Sequence, residues 1–369
     1  MKILNVMWSS GAAFASVHRA HRNIMFALGD EEFDTWFLQG APHPSCEALG
    51  RLTVWRLSRK LLKGRQLWRL ARPLVRQRLA KELDRLAPDC VLLDGIGTAR
   101  MMLPLLASRP LIRALVIMHG FVALSTQDRH LLARCSAQQV SVVAVSATLA
   151  RALQTQLAQW PGGIESCPTA LFPPRFAAQL LDRAQARAQL GLPERGRVLG
   201  GVGRLVEAKG FSTLLAAFAR VAQTSPDWTL CLVGEGQARE VLAEQVAALG
   251  LSDRVRFAGH RDDAARLYRA FDWVAIPSRQ EGQGLVLQEA VLADVALMLS
   301  DIGVFREQLG DAGLYARADD VEDWTMLLER CLPSSAEPYA AAQRAQLAPE
   351  QAWQRFCLDY RRLLGIKLQ

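Results

Sequence analysis

The sequence predicts an α/β protein built from two doubly wound, parallel-sheet domains, and three observations carry that expectation. First, 369 residues exceed one ordinary domain, and with half of them hydrophobic and 22% charged there is apolar material for two packed cores. Second, short β-rich apolar runs alternate with helical periodicities, and the alternation restarts near Arg197. Third, the stretch PSRQEGQGLVLQEA, Pro277 to Ala290, carries an apolar strand (Phe271 to Ile276) through a glycine loop straight into a helix over Leu285 to Leu292. Such a loop turns free backbone N–H groups and the positive end of a helix dipole toward an anion, and Gly282 and Gly284 leave no Cβ in its way.

Taken in order, Lys2 to Met7 is a first strand, too short to be the apolar core of a signal peptide, and Trp8 to Ala12 is a small-residue turn. A helix over Val17 to Leu28 and a strand over Phe33 to Leu38 follow. Between Arg51 and Arg85 stand twelve basic residues against Glu82 and Asp84, a local charge of +10 in a chain whose total is +8. There Val54, Leu57, Leu61, Trp68, Ala71, Val75 and Leu79 set an amphipathic pattern interrupted at Pro73. Arg65, Arg69, Arg72 and Arg76 form a cationic stripe beside it, with Trp55 and Trp68 suited to a membrane interface. Four arginines at about 1 kcal/mol each give roughly 4 kcal/mol toward an anionic bilayer. A solvated face on a crossover helix is the plainer account of the same residues. Nucleic acid is not expected, because no aromatic-interleaved sheet or recognised motif accompanies the charge.

Asp89 to Asp94 is a buried strand, Ile112 to Met118 the next, and His119-Gly120 stands at its carboxyl end, where α/β proteins bind ligands. Val140 to Val145 is a further strand, with Ser146 a helix N-cap. The linker-like residues Gln159 to Gly163 and Phe172 to Pro174 mark a hinge, and a helix over Ala177 to Leu190 leads into the second half. Seven scattered cysteines, odd in number and without a CxxC pair, point to a reducing compartment rather than a disulfide or zinc framework. No stretch combines the length and apolarity of a membrane span; Ala114 to Gln127 comes nearest.

In the second half, RVLGGVG (Arg197 to Gly203) runs into Arg204-Leu205-Val206-Glu207-Ala208-Lys209-Gly210, and a strand over Thr229 to Val233 into Gly234-Glu235-Gly236. Together with the Glu281 to Glu289 loop, this arrangement resembles the retaining, nucleotide-sugar-dependent glycosyltransferases of family 4 (glycosyl transferases group 1). The resemblance is specific from Gly200 to Glu307, moderate at the termini and thin between Gly40 and Arg85. It departs from the family pattern at Gln283, where an aromatic is usual, and at Thr169-Ala170-Leu171, where an Asn-Gly pair is frequent.

The resemblance implies a GT-B fold: two Rossmann-like, doubly wound parallel-sheet domains facing a central cleft. Residues 1–170 would form the acceptor-side domain and 171–349 the nucleotide-sugar domain, with 350–369 crossing back onto the first. Arg204 and Lys209 would grip the donor diphosphate together with the backbone of Gly282, Gln283, Gly284 and Leu285. Glu281 would face the donor sugar, Glu289 would hold the ribose, and Gly259, His260 and Arg261 would meet the base. His119 would be a catalytic-site residue positioning the sugar or phosphate, and Ser10 and Gly11 would lie on the acceptor side.

The resemblance thus implies a retaining, metal-independent hexosyl transfer. No cofactor is expected, the UDP- or GDP-linked sugar being a co-substrate. The basic segment 51–85 suggests an inner-membrane surface and a lipid-linked or lipopolysaccharide-type glycan acceptor, for a protein in the cytoplasm held peripherally at the membrane. Two other readings stand beside this one: a degenerate membrane-surface binding module, and a nucleotide-sugar epimerase.

Overall fold

The computed structural model describes residues 1–9, 15–40, 50–58 and 68–366, and the side chains of 68–72 fall outside that description. The chain divides into two compact units, Met1–Thr169 with Gln354–Gln369, and Ala170–Trp353.

The first unit is built on β1 (Lys2–Ser9), α1 (Ala15–Leu28), β2 (Glu32–Gln39), β3 (Arg51–Val54), α2 (Trp68–Leu86), β4 (Cys90–Asp94) and α3 (Gly95–Leu106). It continues through β5 (Arg113–Met118), α4 (Thr126–Ala133), β6 (Val140–Ala144), α5 (Ala147–Gln156) and β7 (Ile164–Ser166). Its sheet has the order β3-β2-β1-β4-β5-β6-β7, with every pairing parallel. β1 lies inside the sheet, so its run Ile3, Leu4, Val6 and Met7 is buried on both faces, as parallel strands require. The strand order reverses between β1 and β4, which places a topological switch point there. Ser146 caps α5 through Leu149 N, as its position after β6 suggests.

Three details differ from expectation in the basic segment. The helix does not break at Pro73, because α2 runs through it from Trp68 to Leu86. Pro73 is the sixth residue of the helix, so only one early backbone bond is lost and Leu79 and Leu83 still anchor the remainder in the core. Arg76 is half-buried and donates to the Arg100 carbonyl at 3.1 Å, so it ties α2 to α3 rather than joining a free cationic face. Trp55 packs edge-on against Trp36, with ring centres 5.1 Å apart, and so serves the fold rather than an interface. Arg65 lies outside the described residues, as do the side chains of Trp68, Arg69 and Arg72.

The second unit contains α6 (Pro173–Gln179), α7 (Arg183–Leu190), β8 (Arg197–Val202), α8 (Phe211–Ala222), β9 (Trp228–Val233), α9 (Arg239–Ala248), β10 (Val255–Gly259), β11 (Trp273–Ile276) and α10 (Leu285–Leu292). After them come β12 (Ala296–Ser300), α11 (Gly303–Leu309), β13 (Leu314–Ala316), α12 (Val321–Cys331) and α13 (Glu337–Leu347). α14 (Pro349–Leu364) follows, and its residues from Gln354 onward count with the first unit. There Arg362 bonds Glu165 at 3.0 Å. The helix expected over Ala177 to Leu190 is two helices. Asp182 accepts from Gln185 N at 2.8 Å and caps a fresh start, while Pro173 and Pro174 occupy the favoured first positions of α6.

The second sheet has the order β10-β9-β8-β11-β12-β13, again parallel, with its switch point between β8 and β11. Side chains alternate between two apolar layers. Leu199, Trp273 and Ala275 face α8, α9 and α12. Val198, Val274 and Ile276 face α7, α10 and α11. α8 buries Phe211, Leu214, Leu215, Phe218 and Val221 at helical spacing, each about 1.5–3 kcal/mol of favourable burial.

Candidate active site

The switch point of the second sheet carries Arg204, Lys209 and Glu281, while His119 of the first unit follows β5, two strands from β1. In the second unit, β8 delivers Arg204 and Lys209, and β11 delivers Glu281 and the loop into α10. Gly210 follows Lys209 in the left-handed region at φ +67°, and a Cβ there would stand 1.9 Å from the Pro277 carbonyl oxygen. Only glycine lets the lysine loop lie against the end of β11 in this way. Arg279 N donates to Ala208 O at 3.0 Å and holds the same two loops together.

The consequence is an ion pair between Lys209 Nζ and Glu281 Oε1, with side-chain exposures of 19% and 11%. Ser278 Oγ donates to the same carboxylate oxygen at 2.8 Å. Arg204 is exposed and has no ion-pair partner among the described residues. Sequence reasoning did not find Ser278, although its place three residues before Glu281 in a strand-end loop is a usable signal.

Gly284 is the N-cap of α10 at φ +79°, and a Cβ on it would meet Phe305 at 2.7 Å. Gln283 is buried, and its carbonyl accepts from Gln308 Nε2 at 2.6 Å, which fixes the loop from below. The N–H groups of the first helical turn, at Leu285 and Val286, therefore start from a pinned position. Glu289, which as a bare helix residue would be solvated, is instead 4% exposed, and its Oε2 accepts from the buried Tyr268 hydroxyl at 2.7 Å. Tyr268 comes from a 3₁₀ turn before β11 and gave no sequence signal.

At the end of β10, Gly259 sits at φ +72° and its carbonyl accepts from Gly234 N at 2.8 Å. His260 is exposed and contacts Asp262 at 3.0 Å. Arg261 bonds Asp263 at 2.9 Å and also reaches Gln189. The guanidinium holds the Asp263 carboxyl below its usual range, so this pair is charged at neutral pH.

In the first unit, Ser10 and Gly11 lie outside the described residues. His119 stands just past β5, mostly buried, with its Nε2 4.0 Å from Asp94 Oδ1. Asp94 ends β4, and its Oδ2 accepts from Trp8 N at 3.2 Å. His21 on α1 reaches the same point, its Nε2 2.9 Å from His119 Nε2. Burial lowers the His119 pKa to about 4 and raises that of Asp94 to about 6, while His21 is held well below its ordinary value by burial and by His119 beside it. Neither His21 nor Asp94 was singled out from the sequence. A histidine on a strand's following helix has a clear signal only once the strand order is known.

These ligand atoms of His21, Asp94 and His119 lie within 4.8 Å of one another, the one such grouping of three metal-competent side chains among the described residues. Two imidazole nitrogens on one zinc at 2.0–2.1 Å would stand roughly 3.4 Å apart in a tetrahedral site. The observed 2.9 Å is a hydrogen-bond length instead.

Two parallel-sheet Rossmann-like units with a cationic strand-end loop facing a glycine-capped helix define the GT-B glycosyltransferase architecture. Residues 182–347 match the family "Glycosyl transferases group 1", so the second unit carries a glycosyl transferase group 1 domain. Among curated relatives, the chain is 36% identical over 203 residues to D-inositol 3-phosphate glycosyltransferase of Salinispora tropica, a match covering 50% of this chain and 42% of that one. It is 32% identical over 197 residues to the lipopolysaccharide core biosynthesis mannosyltransferase LpcC of Rhizobium leguminosarum bv. viciae, covering 52% and 53%. The chain thus spans about half or less of the length of these relatives. Among solved structures, Anabaena Alr3699/HepE in complex with UDP and glucose superposes with a TM-score of 0.73 at 20% identity, covering 99% of this chain and 98% of that one. At that identity the likeness speaks for the fold. Among the described residues no helix is long and apolar enough to cross a membrane.

Proposed function

We propose that the protein is a retaining glycosyltransferase that moves a sugar from a nucleotide-sugar donor to a membrane-linked glycan acceptor. The observation that carries this reading is the meeting of Lys209, Glu281 and the mouth of α10 at the switch point of the second sheet. Departure of a nucleoside diphosphate puts charge on its phosphate oxygens. Arg204, Lys209 and the N–H groups opening α10 meet that charge with preorganised donors, a role that asks for no metal. Each charge-assisted bond contributes about 1.5–3 kcal/mol.

Glu281 beside a diphosphate would be repelled, so its use is on the sugar, accepting hydroxyl hydrogen bonds. Lys209 has two tasks in this scheme: it neutralises Glu281 before the donor arrives and offers its ammonium to phosphate afterwards. Glu289, preset by Tyr268, takes the ribose hydroxyls, and Gly259, His260 and Arg261 take the base. The donor fits the HepE complex, which holds UDP and glucose. The acceptor class follows the lipopolysaccharide-core name of one relative and the basic segment 51–85. We place the protein in the cytoplasm at the inner-membrane face on that charge alone.

The test is to incubate the protein with a panel of UDP- and GDP-sugars and follow diphosphate release with and without a membrane extract. Release that depends on the extract is the expected result. A free epimer without release would favour an epimerase, and silence with every donor a binding module that has lost catalysis.

A further inference from the structure

We propose that His21 is a positioning residue that locks His119 in its Nε2–H tautomer, through a chain that starts at Asn5, so that His119 meets its ligand as an acceptor through Nδ1. The inference rests on the functional reading only for what that ligand is. The geometry of the chain stands without it.

Asn5 lies buried on β1, in register with Thr35 on β2. Its Nδ2 donates to Thr35 Oγ1 at 3.2 Å, which turns its Oδ1 the other way. That oxygen is 2.7 Å from His21 Nδ1. An amide oxygen only accepts, so the hydrogen is on His21 Nδ1. A neutral imidazole carries one N–H, so His21 Nε2 is a bare lone pair, and it is aimed at His119 Nε2 2.9 Å away. Two lone pairs do not meet at that distance, and the hydrogen between them belongs to His119.

A second observation fixes the same direction independently. Asp94 Oδ1 stands 4.0 Å from His119 Nε2. A carboxylate there favours an N–H over a lone pair on that nitrogen. Burial keeps both rings neutral at physiological pH, so neither carries the second hydrogen that would erase the distinction. His119 Nδ1 is then left as an acceptor, suited to a sugar hydroxyl or a protonated phosphate oxygen and unsuited to a fully ionised one. The four residues come from β1, α1, β4 and β5, three of them adjacent strands at the switch point of the first sheet.

The experiment uses the full chain labelled with ¹⁵N-histidine, and long-range ¹H–¹⁵N spectra at pH 7.5, with signals assigned through His21→Gln and His119→Asn. The expected result is His21 as the Nδ1–H form and His119 as the Nε2–H form. The reverse pattern, averaging between forms, or a metal-type shift of both Nε2 signals on adding one equivalent of Zn(II) would overturn the proposal. Asn5→Leu removes the accepting oxygen and is expected to let the His119 tautomers mix. It should lower kcat by about tenfold to a hundredfold with little change in donor KM, taking as its scale the loss seen when a partner orienting a metal-ligating histidine is removed. Asn5→Asp, whose carboxylate also only accepts, should restore both readouts. Full kcat in Asn5→Leu despite mixed tautomers would reduce His21 to a packing neighbour and sink the idea. If the wild-type chain shows the expected spectra yet transfers no sugar, it is the functional reading that fails, and the tautomer assignment remains.

Discussion

Lys209 and Glu281 neutralise each other across the mouth of α10, brought together from loops 72 residues apart in sequence. Each side chain is the other's main compensation in a mostly buried position, with Ser278 adding one hydrogen bond. Removing either leaves a charge without its partner, which couples the two positions in both stability and catalysis.

Glu281→Ala and Lys209→Ala are expected to lose turnover while staying folded, since neither side chain lies in a hydrophobic cluster. The expected loss in kcat is about a hundredfold to a thousandfold, typical of removing one preorganised group. The double variant should lose little more than either single one. Additive losses, measured as sugar transfer with circular dichroism as the folding control, would show that the two act separately.

Tyr268→Phe deletes the hydrogen bond that presets Glu289 and leaves the packing of the ring intact. Nucleotide affinity should fall about fivefold, equivalent to about 1 kcal/mol, and Glu289→Ala should cost more. Titration calorimetry with UDP and GDP measures both. Equal affinity in all three proteins would remove Glu289 from the nucleotide site.

Gly284→Ala is expected to destabilise the protein by about 1–3 kcal/mol, because the position needs φ +79° and the added Cβ meets Phe305 at 2.7 Å. Adding Phe305→Leu should recover the steric part and leave the backbone part. Thermal unfolding of the three variants separates the two contributions. An unshifted Gly284→Ala curve would mean that the loop relaxes freely.

Asp94→Asn is expected to stabilise the fold at neutral pH. The Asp94 pKa is raised from 3.8 to about 6, so the folded state holds that proton more tightly and loses stability as pH climbs from about 4 to about 6. Two units correspond to about 3 kcal/mol at pH 7, absent below pH 4. His119 works in the opposite sense: its pKa falls from 6.5 to about 4, so its contribution is lost as pH drops through that window, and lowered His21 adds to the loss. The natural protein should therefore lose stability as pH falls from 6 to 4, with Asp94 offsetting only one of the two histidines, and Asp94→Asn should be more stable at pH 7 with a steeper acid limb. Calorimetric midpoints from pH 4 to 8 test this, and an unchanged midpoint at pH 7 would contradict it.

Arg65, Arg69 and Arg72 changed together to Ser should weaken sedimentation with anionic vesicles at low salt, with the difference shrinking at high salt. Arg76 is left in place because it ties α2 to the Arg100 carbonyl. Equal partitioning of variant and parent would return the stripe to plain solvated surface.

Much of this protein was legible in the chain itself. Apolar runs buried on both faces give parallel strands without knowledge of their neighbours, which is why β11 and α10 lie where the pattern of Phe271 to Leu292 puts them. The glycine loop of Gly282 and Gly284 running from a strand into a helix was readable from local backbone chemistry, while the roles of Arg204 and Lys209 were expectations drawn from the family resemblance. What the chain could not announce were the partners across it. The Tyr268 hydroxyl on Glu289, the Lys209 ammonium on Glu281, and the Asn5–His21–His119 relay each join residues that meet only because particular strands are neighbours. Periodicity reports which face of an element is buried, but not which element lies against it. Strand order supplied that second fact, and with it which side chains meet at each switch point.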